Sequence, residues 1–306
     1  MGQSTATRRL GVRALQGLLL MMMVLALAAC SPARMLSGLS PSGHYALDEN
    51  IAYGDHPRMR LDVYRPHDAR ALPVVVYFYG GAWAHGARDQ YGFVGAFLTS
   101  EDVVAVVPDY RLHPEVGFPD FVRDGAAAVA WVQREITAYG GDPERIILMG
   151  HSAGAHIAAL LALDTRYLAL AGADRAPVYA FIGLSGAYDF ERDSDTLEKI
   201  FAAEQPPLLS SQPIDYAGAH APPMLLVHGG GDRVVEPGNT LRLARSVCDA
   251  GGEAEVIVYP RVGHARVAAA LAPPLGFVGS SGDDVAAFLR RLTAGEASNG
   301  VICPGG

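Results

Sequence analysis

The sequence predicts an α/β fold in which one mostly parallel sheet is covered by helices on both faces. Three observations carry this expectation. Short apolar runs rich in Val and aromatic residues, such as residues 73–79 and 103–107, alternate with longer stretches of helical period. The runs are nearly continuous in hydrophobicity, which is how strands buried on both faces read. Half of the 306 residues are hydrophobic and only 18% are charged, enough apolar material for one sizeable core. The net charge of −8, with no clustered Lys and Arg in the body of the chain, argues against a nucleic-acid partner, because phosphate binding needs concentrated positive charge.

The elements follow in order. Arg8, Arg9 and Arg13 precede an uncharged run from Leu18 to Ala29 without Pro or Gly, the n-region and h-region of an export signal. It ends in Leu27-Ala28-Ala29-Cys30, which resembles the bacterial lipoprotein box read by signal peptidase II. Residues 1–29 are then a lipoprotein signal peptide and Cys30 the lipidated first residue. A general secretory signal with a chance cysteine, or an uncleaved anchor helix, is the plainer reading. Acyl chains at Cys30 would anchor the chain to a membrane without spanning it, each buried methylene contributing about 0.8 kcal/mol. By the same resemblance, Ser31 in place of Asp points to the outer membrane of a host that has one. The expected location is therefore exported and lipid-anchored to the bacterial cell envelope.

Residues 30–43 are Ser, Pro and Gly rich and read as a flexible tether. A single folded domain is expected over residues 44–293. Its strand candidates are residues 50–53, 60–64, 73–79, 103–107, 145–149, 178–184, 223–227 and 255–259; helical stretches such as 121–138, 153–163, 238–250 and 283–292 separate the later ones. Sheets of this kind place their chemistry beyond the carboxyl ends of the strands. Residues 294–306 form an irregular Gly/Ser-rich tail. With Cys30 lipidated, Cys248 and Cys303 remain as an even pair in an oxidising compartment, which invites a disulfide pinning the tail to a helix; two unpaired thiols is the alternative. No Cys and His cluster stands at zinc spacing, so no metal is expected.

The strand at 145–149 runs into Gly150-His151-Ser152-Ala153-Gly154 and then into a small-residue helix. That is a G-x-S-x-G motif in strand, turn, helix context, where glycines let the turn lift a serine hydroxyl above the sheet edge. A serine hydroxyl is a poor nucleophile unless a histidine takes its proton and a carboxylate holds that histidine's tautomer. The motif's fold orders them Ser, acid, His. His156 on the following helix and His220 before a strand read as structural. His228 ends a strand and shapes the next loop, badly placed as a base. His264 follows the last strand and is the candidate base. Asp232, after Gly229-Gly230-Gly231, is the candidate acid, with Asp189 and Glu236 as alternatives.

Tyr79-Gly80-Gly81-Ala82-Trp83 resembles the His-Gly-Gly-Gly oxyanion loop of the α/β-hydrolase superfamily, in its hormone-sensitive-lipase-like and feruloyl or acetylxylan esterase-like branches, with Tyr79 where those enzymes carry histidine. Pro108-Asp109-Tyr110-Arg111-Leu112, Phe118-Pro119 and Asp142-Pro143 extend the resemblance to roughly residues 60–270. It implies the α/β-hydrolase fold and a serine carboxylesterase without a cofactor; the segment from Asp189 to Asp215 is only long enough for a small lid, and the open site this leaves suits short-chain esters. It also implies oxyanion donors at the backbone N–H groups of Gly81, Ala82 and Ala153, a structural turn at Asp109–Arg111, and Trp83 and Tyr110 either lining the pocket or packed in the core. The expected substrate is a small-molecule or polysaccharide-linked ester. An amide-cleaving hydrolase of the same fold, an arylformamidase or a peptidase, and a catalytically silent binding protein are the alternatives.

Overall fold

The computed structural model describes residues 32–40, 43–173, 178–192, 194–203, 210–272 and 280–295. These residues form an eight-stranded sheet from β1 (Tyr45–Ala52), β2 (Arg60–Pro66), β3 (Leu72–Phe78), β4 (Val104–Pro108), β5 (Gly141–His151), β6 (Ala180–Leu184), β7 (Met224–Gly229) and β8 (Ala254–Tyr259), in the order β1-β2-β4-β3-β5-β6-β7-β8. β1 pairs antiparallel with β2, and β2 with β4; all other pairs are parallel. The centre is β3 against β5, where Val75 faces Ile147 and Tyr77 faces Met149, all without solvent exposure.

The helices are α1 (Pro32–Leu39), α2 (Gly92–Thr99), α3 (Asp120–Glu135), α4 (Ala153–Leu163), α5 (Thr165–Leu170), α6 (Asp195–Ile200), α7 (Gly238–Asp249), α8 (His264–Ala269) and α9 (Ser281–Ala294). The step from β3 to β4 and the step from β4 over β3 to β5 run in opposite directions along the sheet. Parallel crossovers are right-handed, so α2 and α3 lie on opposite faces. α9 returns to the face of α2, where a Cβ at Gly282 would meet the Phe97 ring at 3.6 Å. α3 packs on α4, a Cβ at Gly125 lying 3.0 Å from Ile157 and 3.1 Å from Leu161. Every residue of α4 is buried, which its run of Ala, Gly and Leu permits.

Two expectations need correction. The segment read as a flexible tether contains α1, which packs on α2: Ala33 and Leu36 rest against the core, and Ser37 Oγ donates to Gln90 O at 2.8 Å. Arg34 pairs with Asp89. Composition alone missed this because Pro32 is favourable at a first helical position and Leu36 has an apolar surface to cover. β1 also runs Tyr45–Ala52, earlier than residues 50–53, with a register shift between Asp48 and Ile51 that breaks its alternation. Cys248 is disulfide-bonded. The signal segment with Cys30, and the tail with Cys303, lie outside the described residues.

Candidate active site

Ser152 joins β5 to α4 with φ 55° and ψ −122°, a region a non-glycine residue adopts only when its surroundings impose it. Two glycines impose it here. A Cβ at Gly150 would lie 2.4 Å from Gly154 O, and one at Gly154 would lie 2.0 Å from Phe78 O, so strand, turn and helix meet at backbone contact. The Ser152 N–H donates to Leu184 O at 2.9 Å and ties the turn to β6.

His264 is the first residue of α8, just past β8. Its Nε2 accepts from the Ser152 hydroxyl at 2.8 Å, and its Nδ1–H donates to Asp232 Oδ2 at 2.7 Å. The loops that carry Asp232 and His264 are stitched together: Gly230 N–H donates to Tyr259 O at 2.8 Å and Gly231 N–H to Val262 O at 3.0 Å. A Cβ at Gly229 would lie 2.2 Å from Val262 O, so the glycine run serves close approach between the loops. Asp232 Oδ1 accepts from the N–H groups of Val234 at 2.8 Å and Val235 at 3.0 Å. Burial pushes the Asp232 pKa up, but the Val235 N–H, the His264 ring and the Val234 N–H more than offset it, holding the carboxyl below its ordinary value.

Three further histidines surround this group. His151 packs its ring 4.8 Å from that of His264 and donates Nε2–H to the His264 carbonyl at 3.2 Å. Burial, then the neighbouring His264, lowers its pKa to about 3. His156 accepts from Trp83 Nε1–H at 3.2 Å and donates to Ser211 O at 2.7 Å; burial lowers its pKa to about 4. His228 Nε2 stands 3.3 Å from Asp232 Oδ2. His220 donates to Leu163 O at 2.9 Å, away from this group. The alternative acids, Asp189 and Glu236, face Arg242 on the cleft wall.

The glycine loop after β3 turns with φ 139° at Gly81, 52° at Ala82 and 57° at Trp83, and the N–H groups of Ala84 and His85 close it on Gly81 O. Ala82 and Ala153 line the cleft beside Ser152. Ala153 opens α4, so its N–H has no intrahelical acceptor. Tyr79, fully buried, is stacked between Tyr91 at 5.2 Å and Tyr110 at 4.8 Å. Its hydroxyl donates to Asp109 Oδ1 at 2.7 Å and accepts from Arg58 at 2.9 Å, while Tyr110 donates to Tyr79 O at 2.8 Å. Arg88 closes the cluster on Asp109 at 2.6 Å and Asp62 at 2.8 Å. Tyr79 is therefore a polar strut under the loop, and Asp109, read from sequence as part of a turn, is its anchor.

The cleft holds about 720 Å³. Trp83, Phe190, Leu197 and Ile200 form an apolar wall, and Asp189, Glu191, Glu236 and Arg242 stand among its polar lining. Part of that wall is α6, from the segment expected to be a small lid. Among the described residues no group of three or more His, Cys, Asp or Glu is placed to hold a metal ion. Sequence reasoning missed the contact of His228 with Asp232 and the Tyr79–Asp109–Arg88 cluster. The only sequence signal for the first is the four-residue spacing across a glycine turn; the second joins three distant segments.

A family model described as BD-FAE matches residues 61–247. Isoprenylcysteine alpha-carbonyl methylesterase ICME of Arabidopsis thaliana is 33% identical over 232 residues, covering 69% of this chain and 54% of that protein. Esterase LipC of Mycobacterium tuberculosis is 33% identical over 211 residues, covering 62% of this chain and 52% of its own length. The chain thus spans about half the length of these curated relatives. The truncated form of a carbohydrate esterase from gut microbiota matches with a TM-score of 0.70 at 20% identity, over 83% of this chain and 99% of that one, a likeness of fold.

Proposed function

The chain belongs to the BD-FAE family, and from that premise we propose that it is a serine carboxylesterase that hydrolyses short-chain esters through Ser152, His264 and Asp232. Ser152 Oγ attacks the ester carbonyl carbon as its proton passes to His264 Nε2. The carbonyl oxygen becomes an oxyanion facing the N–H groups of the Gly81–Ala82 turn and of Ala153, the positive end of α4 lying beneath it. Collapse breaks the carbon–oxygen bond to the alcohol, which leaves with the proton from His264. Water then gives a proton to His264 and attacks the acyl carbon; the bond to Ser152 Oγ breaks, the acid leaves, and His264 returns the proton to Oγ. Asp232 stays ionised throughout, holding the Nδ1–H tautomer and stabilising the imidazolium.

The observation that carries this reading is the unbroken line Ser152 Oγ, His264, Asp232 at 2.8 and 2.7 Å, opening onto a cleft. The apolar wall of Trp83, Phe190, Leu197 and Ile200 supports a short acyl group, and the polar lining suits a hydrophilic alcohol such as a sugar hydroxyl. The test is hydrolysis of p-nitrophenyl acetate, butyrate and a long-chain ester by the protein and its Ser152→Ala variant. Fast turnover of the short esters that vanishes in the variant supports the esterase; equal rates in both proteins overturn it. Preference for an anilide or formanilide over the matching ester would move the assignment to an amide hydrolase.

The lipoprotein box at Leu27-Ala28-Ala29-Cys30 supports a second part of the proposal, export and lipidation at Cys30. Because α1 begins two residues later and packs on the domain, the anchored domain sits close to the membrane. A radiolabelled fatty acid incorporated into the protein but not into its Cys30→Ala variant is the expected result; label in both, or in neither, overturns it.

A further inference from the structure

Resting on the esterase reading, we propose that His228 is a positioning residue that shares the Asp232 carboxylate with His264 and thereby sets how strongly the catalytic base holds its proton. His228 lies at the end of β7 and is fully buried. Its Nε2 stands 3.1 Å from Val235 O and 3.3 Å from Asp232 Oδ2. Both are acceptors, so this nitrogen carries the hydrogen; a bare nitrogen would set its lone pair against two oxygens. Its Nδ1 accepts from the hydroxyl of Thr240, itself fully buried on α7, at 2.7 Å. The tautomer is thus set from both sides. Burial holds His228 neutral by lowering its pKa.

His228 Nε2–H, which donates to Val235 O, also stands 3.3 Å from Asp232 Oδ2, the oxygen that accepts from His264 at 2.7 Å, while Oδ1 accepts from Val234 and Val235. A further titratable group facing the pair is His151 at the end of β5, neutral and bonded to the main chain of His264. The added donor is uncharged, so Asp232 keeps its full negative charge but presents His264 with an oxygen of reduced basicity. The hold of Oδ2 on the His264 Nδ1–H is loosened, which eases return of the proton from Nε2 to the leaving alcohol.

The test is the pH dependence of kcat/KM for p-nitrophenyl acetate in wild type and in His228→Leu, His228→Gln and Thr240→Val, with thermal unfolding of each. In His228→Leu the acid limb is expected to move up by about half a pH unit or more, with KM unchanged. His228→Gln restores an N–H donor and returns the limb to the wild-type position. Thr240→Val, which loosens the imidazole but leaves the carboxylate untouched, moves the limb the same way by less. An unmoved limb in His228→Leu, or equal movement in the Leu and Gln variants, overturns the proposal. If His228→Leu does not fold, an unmoved limb in Thr240→Val does so. Loss of turnover in Ser152→Ala beside an unmoved limb sinks this inference alone; turnover surviving in Ser152→Ala sinks the esterase reading itself.

Discussion

At the scale of single residues, the site depends on polar atoms whose partners leave them few alternatives. Asp232 has both oxygens occupied, so Asp232→Asn must turn an amide N–H either toward His264 Nδ1 or toward the N–H groups of Val234 and Val235. Wild-type unfolding with kcat lowered by about 10³- to 10⁴-fold is expected, read from steady-state kinetics beside a melting curve. Tyr79 makes a different demand. Removing its hydroxyl in Tyr79→Phe leaves Asp109 with Arg88 but unties the loop that carries Gly81 and Ala82. A stability loss of about 1–2 kcal/mol is expected, with a fall in kcat exceeding any rise in KM, because in the proposed mechanism the N–H groups of that loop act on the transition state. A rise in KM alone would mean that the strut serves substrate binding.

Elements place these residues through close backbone approach, and glycine is what makes the approach possible. α4 enters within contact of the end of β3 only because Gly154 has no side chain. Gly154→Ala must push α4 away from Phe78, and loss of esterase turnover with destabilisation of about 1–3 kcal/mol is the expected outcome of denaturant unfolding. The same reasoning explains why Gly229-Gly230-Gly231, which suggests flexibility in sequence, is a rigid seam between the loops after β7 and β8. α1 is the opposite case, an element whose sequence pointed to none. Leu36→Asp would place a charge against the core beneath α1 and is expected to lower Tm by about 2–4 °C, roughly 1 kcal/mol in a domain this size. An unchanged Tm would mean that α1 adds nothing to the fold.

Across the whole molecule, buried histidines couple the fold to pH. His151 and His156 are held neutral, their pKa values lowered from 6.5 to about 3 and about 4. The unfolded chain takes up protons that the folded one refuses, so their contribution to stability is complete above pH 6.5 and declines as pH falls toward those values. Each group steepens the loss by at most about 1.4 kcal/mol per pH unit, and His156→Gln should flatten the Tm profile on the acid side. Much of this protein was legible in its residues. Strand runs with continuous hydrophobicity announce a mostly parallel sheet, because period and burial are local properties of the chain. Gly150-His151-Ser152-Ala153-Gly154 marks the sharp turn, because only small residues at that spacing allow it. Chain order selects His264 and Asp232 as candidates among several histidines and acids. Contacts between segments far apart in sequence came only with the packed fold: α1 seated on α2, Tyr79 braced by Asp109, and His228 and His264 both beside Asp232. Such contacts follow from how helices and loops pack around the sheet, which leaves no periodic trace in any one segment.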